Sequence, residues 1–368
     1  MKRIFYIITL VIIQFNGIHV FSQDFKINSL ELGYGKDRTS SISSGDIDND
    51  GDIDLIIANG RHWPGQNKIL LNNGLGRYTV EKNLGFNRMT SYAAELGDLN
   101  GDGFIDIAVG NDKAPNNIFI NDGSGNFKLY GSFGRENSNT RNIKLDDIDN
   151  DGDVDILITN RFESNEICLN NGQGKFSEII VFGNKNDATI DVEVYDMNND
   201  GNKDLILANR NNQANYIYLN DGNLSFNEKI IFGSGNDNTR SVEIGDFNQD
   251  GFPDIATANI NEPNVIYLGD KLLSYNIKIA FDQSSSSSFS LAVDDFDIDG
   301  DLDVAVGNSP GQNFIFLNLS SGQNWKRINL LDNEFRTYDI ISLDINNDGK
   351  IDIIEANSDE SNFYHIIK

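Results

Sequence analysis

A single cysteine stands among the 368 residues, and one thiol cannot form an intramolecular disulfide, so sulfur does not staple this fold. Cys168 sits in the apolar run EICLN and reads as a small core residue. Histidine is nearly as scarce, with three copies, and neither residue clusters at a spacing that holds a transition metal. The zinc-protease pattern H-E-x-x-H and the phosphate-cradling P-loop are both missing. GNSPG at Gly307 to Gly311 has the form G-x-S-x-G, but that motif needs a strand-to-helix elbow. Here it falls in an Asn-rich loop, and we read it as a coincidence. Positive charge is short as well: 29 Lys and Arg face 56 Asp and Glu, for a formal net charge of −27. No basic stripe exists to neutralise phosphates, so nucleic acid is not an expected partner. Proline numbers only five against 34 glycines, which with abundant Asn fits tight turns between short strands.

What the chain has in quantity is one nine-residue pattern, D-x-[DN]-x-D-G-x-x-D. Its copies start at Asp46, Asp98, Asp147, Asp196, Asp246, Asp295 and Asp344, at intervals of 52, 49, 49, 50, 49 and 49 residues. That period belongs to propellers and solenoids, not to coiled coils or collagen. Each copy has the chemistry of a calcium loop: a hard cation takes about 6 to 8 oxygen ligands, and alternate side chains converge where a glycine at position six permits a sharp turn. The expected ligands are Asp46, Asp48, Asp50 and Asp54; Asp98, Asn100, Asp102 and Asp106; Asp147, Asp149, Asp151 and Asp155; Asp196, Asn198, Asp200 and Asp204; Asp246, Asn248, Asp250 and Asp254; Asp295, Asp297, Asp299 and Asp303; and Asp344, Asn346, Asp348 and Asp352. An EF-hand is excluded, because position twelve carries its glutamate only at Glu355 and a strand-like run such as IDLIIAN or VDILITN follows each loop. One copy alone could be an ordinary acidic turn. Seven complete copies in register point to metal. The expected ligand positions hold 24 of the 56 acidic residues, and seven Ca²⁺ ions would bring the net charge to roughly −13.

Around each loop the order of strands repeats, as in RNIKLDD, VDILITN, EICLNN and KFSEIIVFG. Strands that are apolar nearly throughout imply burial on both faces, as when blades pack face to face. The expected fold is therefore all-β, a seven-bladed propeller of four-stranded blades. After the first two dozen residues, DFKINSLELG resembles a fourth strand with no first three before it, and the sequence ends on a third strand, NFYHIIK. The two deficits match, so Phe25 to Leu32 is expected to complete the last blade and close the ring. A solenoid would instead need distinct polar caps.

Residues 1–23 read as a cleaved secretory signal and 24–368 as the propeller. Lys2 and Arg3 precede the apolar run Ile4 to Ile13, with a small-residue cleavage site at Val20-Phe21-Ser22. That run is too short to cross a bilayer. We expect an exported protein, secreted or held at the cell surface or in the periplasm, with no transmembrane segment and acting as a monomer.

With its seven loops and flanking strands such as DFNQDGFPDIATAN and LNDGSGNF, the chain resembles the FG-GAP/VCBS-repeat family of calcium-binding seven-bladed propellers, related to the integrin α-subunit head. The resemblance implies calcium in the loops between first and second strands on one rim, and ligands on the opposite rim. Fold alone does not imply function, so a site must be sought where residues break the repeat. On the ligand rim, paired asparagines recur, among them Asn59 and Asn67, Asn111 and Asn117, and Asn160 and Asn165. We read them as turn structure. The same holds for hydroxyls at Thr39, Thr90, Thr140, Thr189, Thr239, Ser288 and Thr337.

The exceptions are more informative. NGRHWPGQN places Arg61, His62 and Trp63 together, either as a stacking site for sugar or as a longer loop with Trp63 packed on its neighbour. The residues following the recurrent hydroxyls vary, and we take them as Ser40, Ser91, Arg141, Ile190, Arg240, Phe289 and Tyr338. With Arg161 and Arg210, Arg141 and Arg240 could form a positive mouth suited to uronate, sulfate or carboxylate, although any one Arg could instead pair with a nearby acid. The run Ser284 to Ser288 is expected to be a flexible rim loop. The leading expectation is a non-enzymatic binding or adhesion module for glycan or extracellular protein. Its alternative is a polysaccharide lyase in which Arg neutralises a uronate and His62, Tyr92 or Tyr338 transfers the proton.

Overall fold

The computed structural model describes residues 25–368; the signal segment expected at residues 1–23 lies outside the described residues. Seven antiparallel four-stranded sheets follow one another around a ring, with first strands Thr39–Gly45, Ser91–Gly97, Thr140–Asp146, Thr189–Tyr195, Thr239–Gly245, Ser288–Asp294 and Thr337–Leu343. Among the described residues no helix is long and apolar enough to cross a membrane.

Every second strand, from Asp54–Asn59 to Asp352–Asn357, is buried along its whole length. Both of its faces meet apolar side chains, because each core lies between two neighbouring blades. Ile47, Ile56 and Ile69 of the first blade, for instance, pack with Ile107, Val109 and Phe119 of the second. Cys168 is one such core residue, fully buried among Ile156, Ile158 and Phe176.

The ring closes as the two incomplete ends of the sequence require. Ile27–Leu32 pairs antiparallel with Asn362–Ile367 and becomes the outermost strand of the seventh blade. A polar line crosses that blade. The Ser29 hydroxyl lies 2.8 Å from His365 Nδ1, and His365 Nε2 lies 3.1 Å from the buried Glu355, without hydrogen-bond alignment. The one glutamate at position twelve of a loop is thus a strand residue inside the blade.

A belt of side-chain amides and hydroxyls stitches blade to blade. Asn67 donates to Ser91 at 2.8 Å, Asn215 to Thr239 at 2.8 Å, Asn313 to Thr337 at 2.7 Å, and Asn362 to Thr39 at 3.1 Å. Each amide oxygen meanwhile accepts a backbone N–H within its own blade, as Asn67 does from Asn59. The asparagines and hydroxyls are structural, as expected, but the second blade is shifted by one. Ser91, not Thr90, holds the hydroxyl position, and Asn116, not Asn117, receives the Asn111 N–H. The serine run is tied at several points: Ser284 bonds both Asp282 and Ser286, Ser287 donates to Asn261, and Ser288 begins a strand.

Candidate functional site

Two rims carry opposite chemistry. On one, the first-to-second-strand loops hold the acidic motifs. The position-six glycines, such as Gly51 (φ 93°) and Gly152 (φ 98°), meet nothing within 4 Å where a Cβ would stand. Glycine is required there for backbone conformation rather than for space. The first aspartate of each loop accepts backbone N–H groups from positions five and six, as Asp46 does from Asp50 and Gly51 at 3.0 Å. In the loops with aspartate at position three, oxygens of Asp46, Asp48 and Asp50, of Asp147, Asp149 and Asp155, and of Asp295, Asp297 and Asp299 lie within 4.8 Å of one another. Asp48 Oδ1, Asp297 Oδ1 and Asn346 Oδ1 are buried without a donor. Such oxygens are costly unless a cation takes them, so the donor set could hold a hard metal ion.

Position nine does more than close the shell. Asp54 accepts the Ile47 N–H at 3.0 Å and the Asn72 N–H at 2.8 Å, and its six counterparts make the same pair of bonds to the loop and to the end of the third strand. An ionised carboxylate has about four acceptor positions, which leaves capacity for an ion. Burial, only partly offset by these bonds, pushes Asp155 and Asp352 up to about 7 and Asp303 up to about 8.

The opposite rim surrounds the mouth of a central cavity of about 480 Å³. In every first strand the register slips after the first residue, leaving one residue unpaired: Ser40, Tyr92, Arg141, Ile190, Arg240, Phe289 or Tyr338. A bulge of this kind re-aims a side chain, and all seven line the cavity. The second member is Tyr92 rather than the expected Ser91, a consequence of the same one-residue shift.

Loops between second and third strands bring Arg61 against Tyr338, and Arg161 and Arg210 into the neighbourhood of Arg141 and Tyr92, just outside the lining of the mouth. Arg61 stacks its guanidinium on Tyr338 at 3.9 Å, Arg141 on Tyr92 at 4.4 Å and Arg240 on Phe289 at 5.0 Å. Arg141 alone of the five pairs with an acid, Asp112 at 2.7 Å. Among the described residues no carboxylate lies within 4.0 Å of the other four, and the Nε atoms of Arg61, Arg161, Arg210 and Arg240 are buried and unpartnered. The expected pairing with nearby acids therefore holds for one arginine only. Burial, reinforced by Arg210, pulls Arg240 down to about 10; burial and then Arg161 act on Arg210 in the same direction.

His62 stands beside this mouth. Its Nδ1 lies 2.7 Å from Asp112 Oδ2 and its Nε2 lies 2.8 Å from the Tyr92 hydroxyl. Burial works against the charge on Asp112, but bonds from Arg141 and His62 outweigh it and hold the carboxyl below its usual range. With Asp112 ionised, Nδ1 donates to that carboxylate, which leaves Nε2 as the nitrogen facing the Tyr92 hydroxyl. Trp63 does not pack on its neighbour; it is 66 % exposed, with Arg38 5.7 Å from its ring.

Three residues further along each first strand, a second ring of side chains faces the cavity: Ser43, Glu95, Lys144, Glu193, Glu243, Ala292 and Ile341. Lys144 donates to both oxygens of Glu193 at 2.8 Å, and Ser43 donates to Glu95 at 2.8 Å. Between the rings, Asp191 bridges Asn142 and the Val242 N–H, and Asp339 bridges Ser290 and the Ile42 N–H, each clasping the blades on either side. Sequence reasoning passed over this inner ring, although its signal was present. In the four blades that follow the first, a charged residue stands three places before each acidic motif, between two apolar neighbours.

No curated protein sequence matches the chain. Among solved structures, BBS1N in complex with ARL6DN, soaked with lead, aligns at 12% identity and a TM-score of 0.63, over 93% of this chain and 96% of that one. The mercury-soaked form gives 12% and 0.63 over 94% and 97%. Raptor from Chaetomium thermophilum gives 10% and 0.59 over 92% of this chain and 28% of that one. At such identities the likeness concerns the fold alone. The FG-GAP-like repeat matches residues 46–109, 98–158, 147–207, 196–257 and 258–355, and the chain belongs to that family.

Proposed function

We propose that this protein is an exported, calcium-stabilised binding module that takes an anionic group of an acidic glycan at the arginine-lined mouth of its central cavity. One observation carries the reading: four of five guanidiniums converging on the mouth have no carboxylate partner. Guanidinium suits planar anions such as carboxylate and sulfate, and the aromatic walls Tyr92, Phe289 and Tyr338 suit the apolar faces of sugar rings. Calcium at the far rim would hold the blades and take no part in binding.

A panel of uronate-bearing, sulfated and neutral polysaccharides tests this, with retention and ultraviolet absorbance both recorded. Acidic glycans should be retained. Arg240→Gln and Arg210→Gln should weaken retention about tenfold or more, the worth of one charged hydrogen bond, while the melting temperature holds. Equal retention of neutral glycans would overturn the reading. Silence toward all of them would direct the search to a protein partner, as BBS1N has in ARL6DN.

The hydrogen-bonded line Tyr92, His62 and Asp112 favours a second reading, a polysaccharide lyase. An imidazole oriented by a carboxylate is placed to move a proton. His62 would take the C5 proton beside a uronate carboxyl held by arginine, the C4–O4 bond would break as a C4=C5 double bond forms, and the Tyr92 hydroxyl would give its proton to the departing O4. Absorbance growing with time and lost in His62→Ala would establish it.

A further inference from the structure

The central cavity is charged at two levels of opposite sign. Its mouth carries Arg240, whose Nε is buried and unpartnered, while Glu243, on the same strand and lining the same cavity, makes no hydrogen bond or ion pair through its carboxylate among the described residues. The two are three residues apart on an extended strand, so their levels are separated by about 10 Å. We propose that the cavity takes a zwitterionic ligand, with a carboxylate or sulfate held at Arg240 and a primary ammonium held at Glu243. This rests on the reading of the mouth as an anion site and specifies what lies beneath it.

The alternatives for the lower level are weaker. Lys144 makes no hydrogen bond to Glu243, since it donates to both oxygens of Glu193, and its charge offsets only part of the effect of burial and of Glu193 on Glu243. A compact metal ion is not favoured either: the acidic groups close enough to share one, among the described residues, are those of the calcium-type loops, and Glu95, Glu193 and Glu243 do not converge in that way. An ammonium on a flexible stem needs no such convergence. It brings three donors to the rim of free acceptors left by Glu243 and its neighbours.

The groups facing Glu243 are Glu193, Lys144, Asp191 and Asp339. Burial, then Glu193, pushes its carboxyl well above the usual range. An ammonium beside it would draw that value back down, so binding of the cation is linked to loss of any proton the carboxyl holds. Volume supports a small ligand: about 480 Å³ lies within the range of small-molecule sites, on the order of 300 to 1,000 Å³. The shared chemistry belongs to short peptides and to amino sugars linked to a uronate.

The test is calorimetry on the calcium-loaded protein with ω-amino acids from glycine to aminooctanoate, each matched to the alkyl carboxylate lacking the amine. A longer member should bind about tenfold or more tightly than its carboxylate, with proton release seen by comparing two buffers. Glu243→Gln should erase that advantage and leave carboxylate binding intact; Arg240→Gln should weaken both ligands. The comparison on the unmodified protein stands even if a variant fails to fold. Triglycine and a glucosaminyl-glucuronate disaccharide then separate the peptide source from the glycan source, and a Glu243-dependent advantage in either supports the proposal. Equal affinity of amino acid and carboxylate would overturn the zwitterion site and leave the anion site standing. If no carboxylate, sulfate or acidic glycan binds, both fall.

Discussion

Asp303 shows how one side chain couples proton and fold in a loop whose donor set could hold a metal ion. It accepts the Phe296 N–H at 3.0 Å and the Asn318 N–H at 2.7 Å, so it braces the loop against the third strand. Burial nevertheless pushes its carboxyl up to about 8, while Asp54, Asp106, Asp204 and Asp254 stand at about 6. A folded-state value above the unfolded one near 3.9 means that the native state holds the extra protons, so stability present below about pH 4 is lost as pH rises through 6 to 8. Chelator-treated protein should therefore melt at a lower temperature at pH 8 than at pH 5, and calcium, which replaces those protons, should stabilise more at pH 8. A metal-free melting temperature that climbs steadily over that interval would count against the loops as the titrating sites. At the belt, Thr239→Val removes a hydroxyl held by Asn215 at 2.8 Å and Asn259 at 3.0 Å. The expected cost is about 1–3 kcal/mol, because buried amide groups lose their partner, and urea unfolding would measure it. These positions were legible in the sequence except in the second blade. There Thr90 and Ser91, and Asn116 and Asn117, are adjacent residues of equal chemistry, and the preceding interval of 52 residues gives no frame to choose between them. That ambiguity hid Tyr92 among the mouth residues.

At the scale of the strand, alternation and turn chemistry carried most of the information. Four strands per blade, the acidic loops and the orphan fourth strand were all readable because each is a local pattern repeated at a fixed period. The bulge that turns Arg141 and Arg240 into the mouth was not readable. It arises where a first strand meets the crowded centre of the ring, and nothing in the local residue types marks it. The bond from His62 to Asp112 joins residues 50 positions apart in different blades, so only the ring brings them together. The closing strand gives a direct prediction. Leu32 is buried in the core shared by the first and seventh blades with Leu70, Ile354 and Tyr364, and Leu32→Ala should cost about 2–5 kcal/mol, as for other buried leucines. The loss should appear as earlier exposure of the seventh blade in hydrogen exchange. An unfolding midpoint unchanged from the parent protein would show that closure adds little to the ring.

Seen whole, the molecule sorts its charge along the ring axis. The acidic motifs lie on one rim, the arginines on the other, and the inner glutamates between them. Removing calcium leaves clustered carboxylates to repel one another, so a chelator should lower the melting temperature throughout and weaken the mouth only in proportion to unfolding. If chelation abolishes anion binding while the fold persists, calcium acts at the ligand site and the division of labour between the rims is wrong.

The closing ladder also has a mechanical consequence. Ile27 lies opposite Ile367, and the Lys368 N–H donates to the Lys26 carbonyl at 2.9 Å, so both ends of the described chain leave the same end of one strand pair. Tension applied between Lys26 and Lys368 would peel that pair one rung at a time, each hydrogen bond bearing the load alone. Tension applied between Lys368 and a ligand seated in the mouth bypasses that pair and spreads over many strands at once. Anchored at Lys368 and pulled through its ligand the protein would hold, whereas stretched between Lys26 and Lys368 it would unzip.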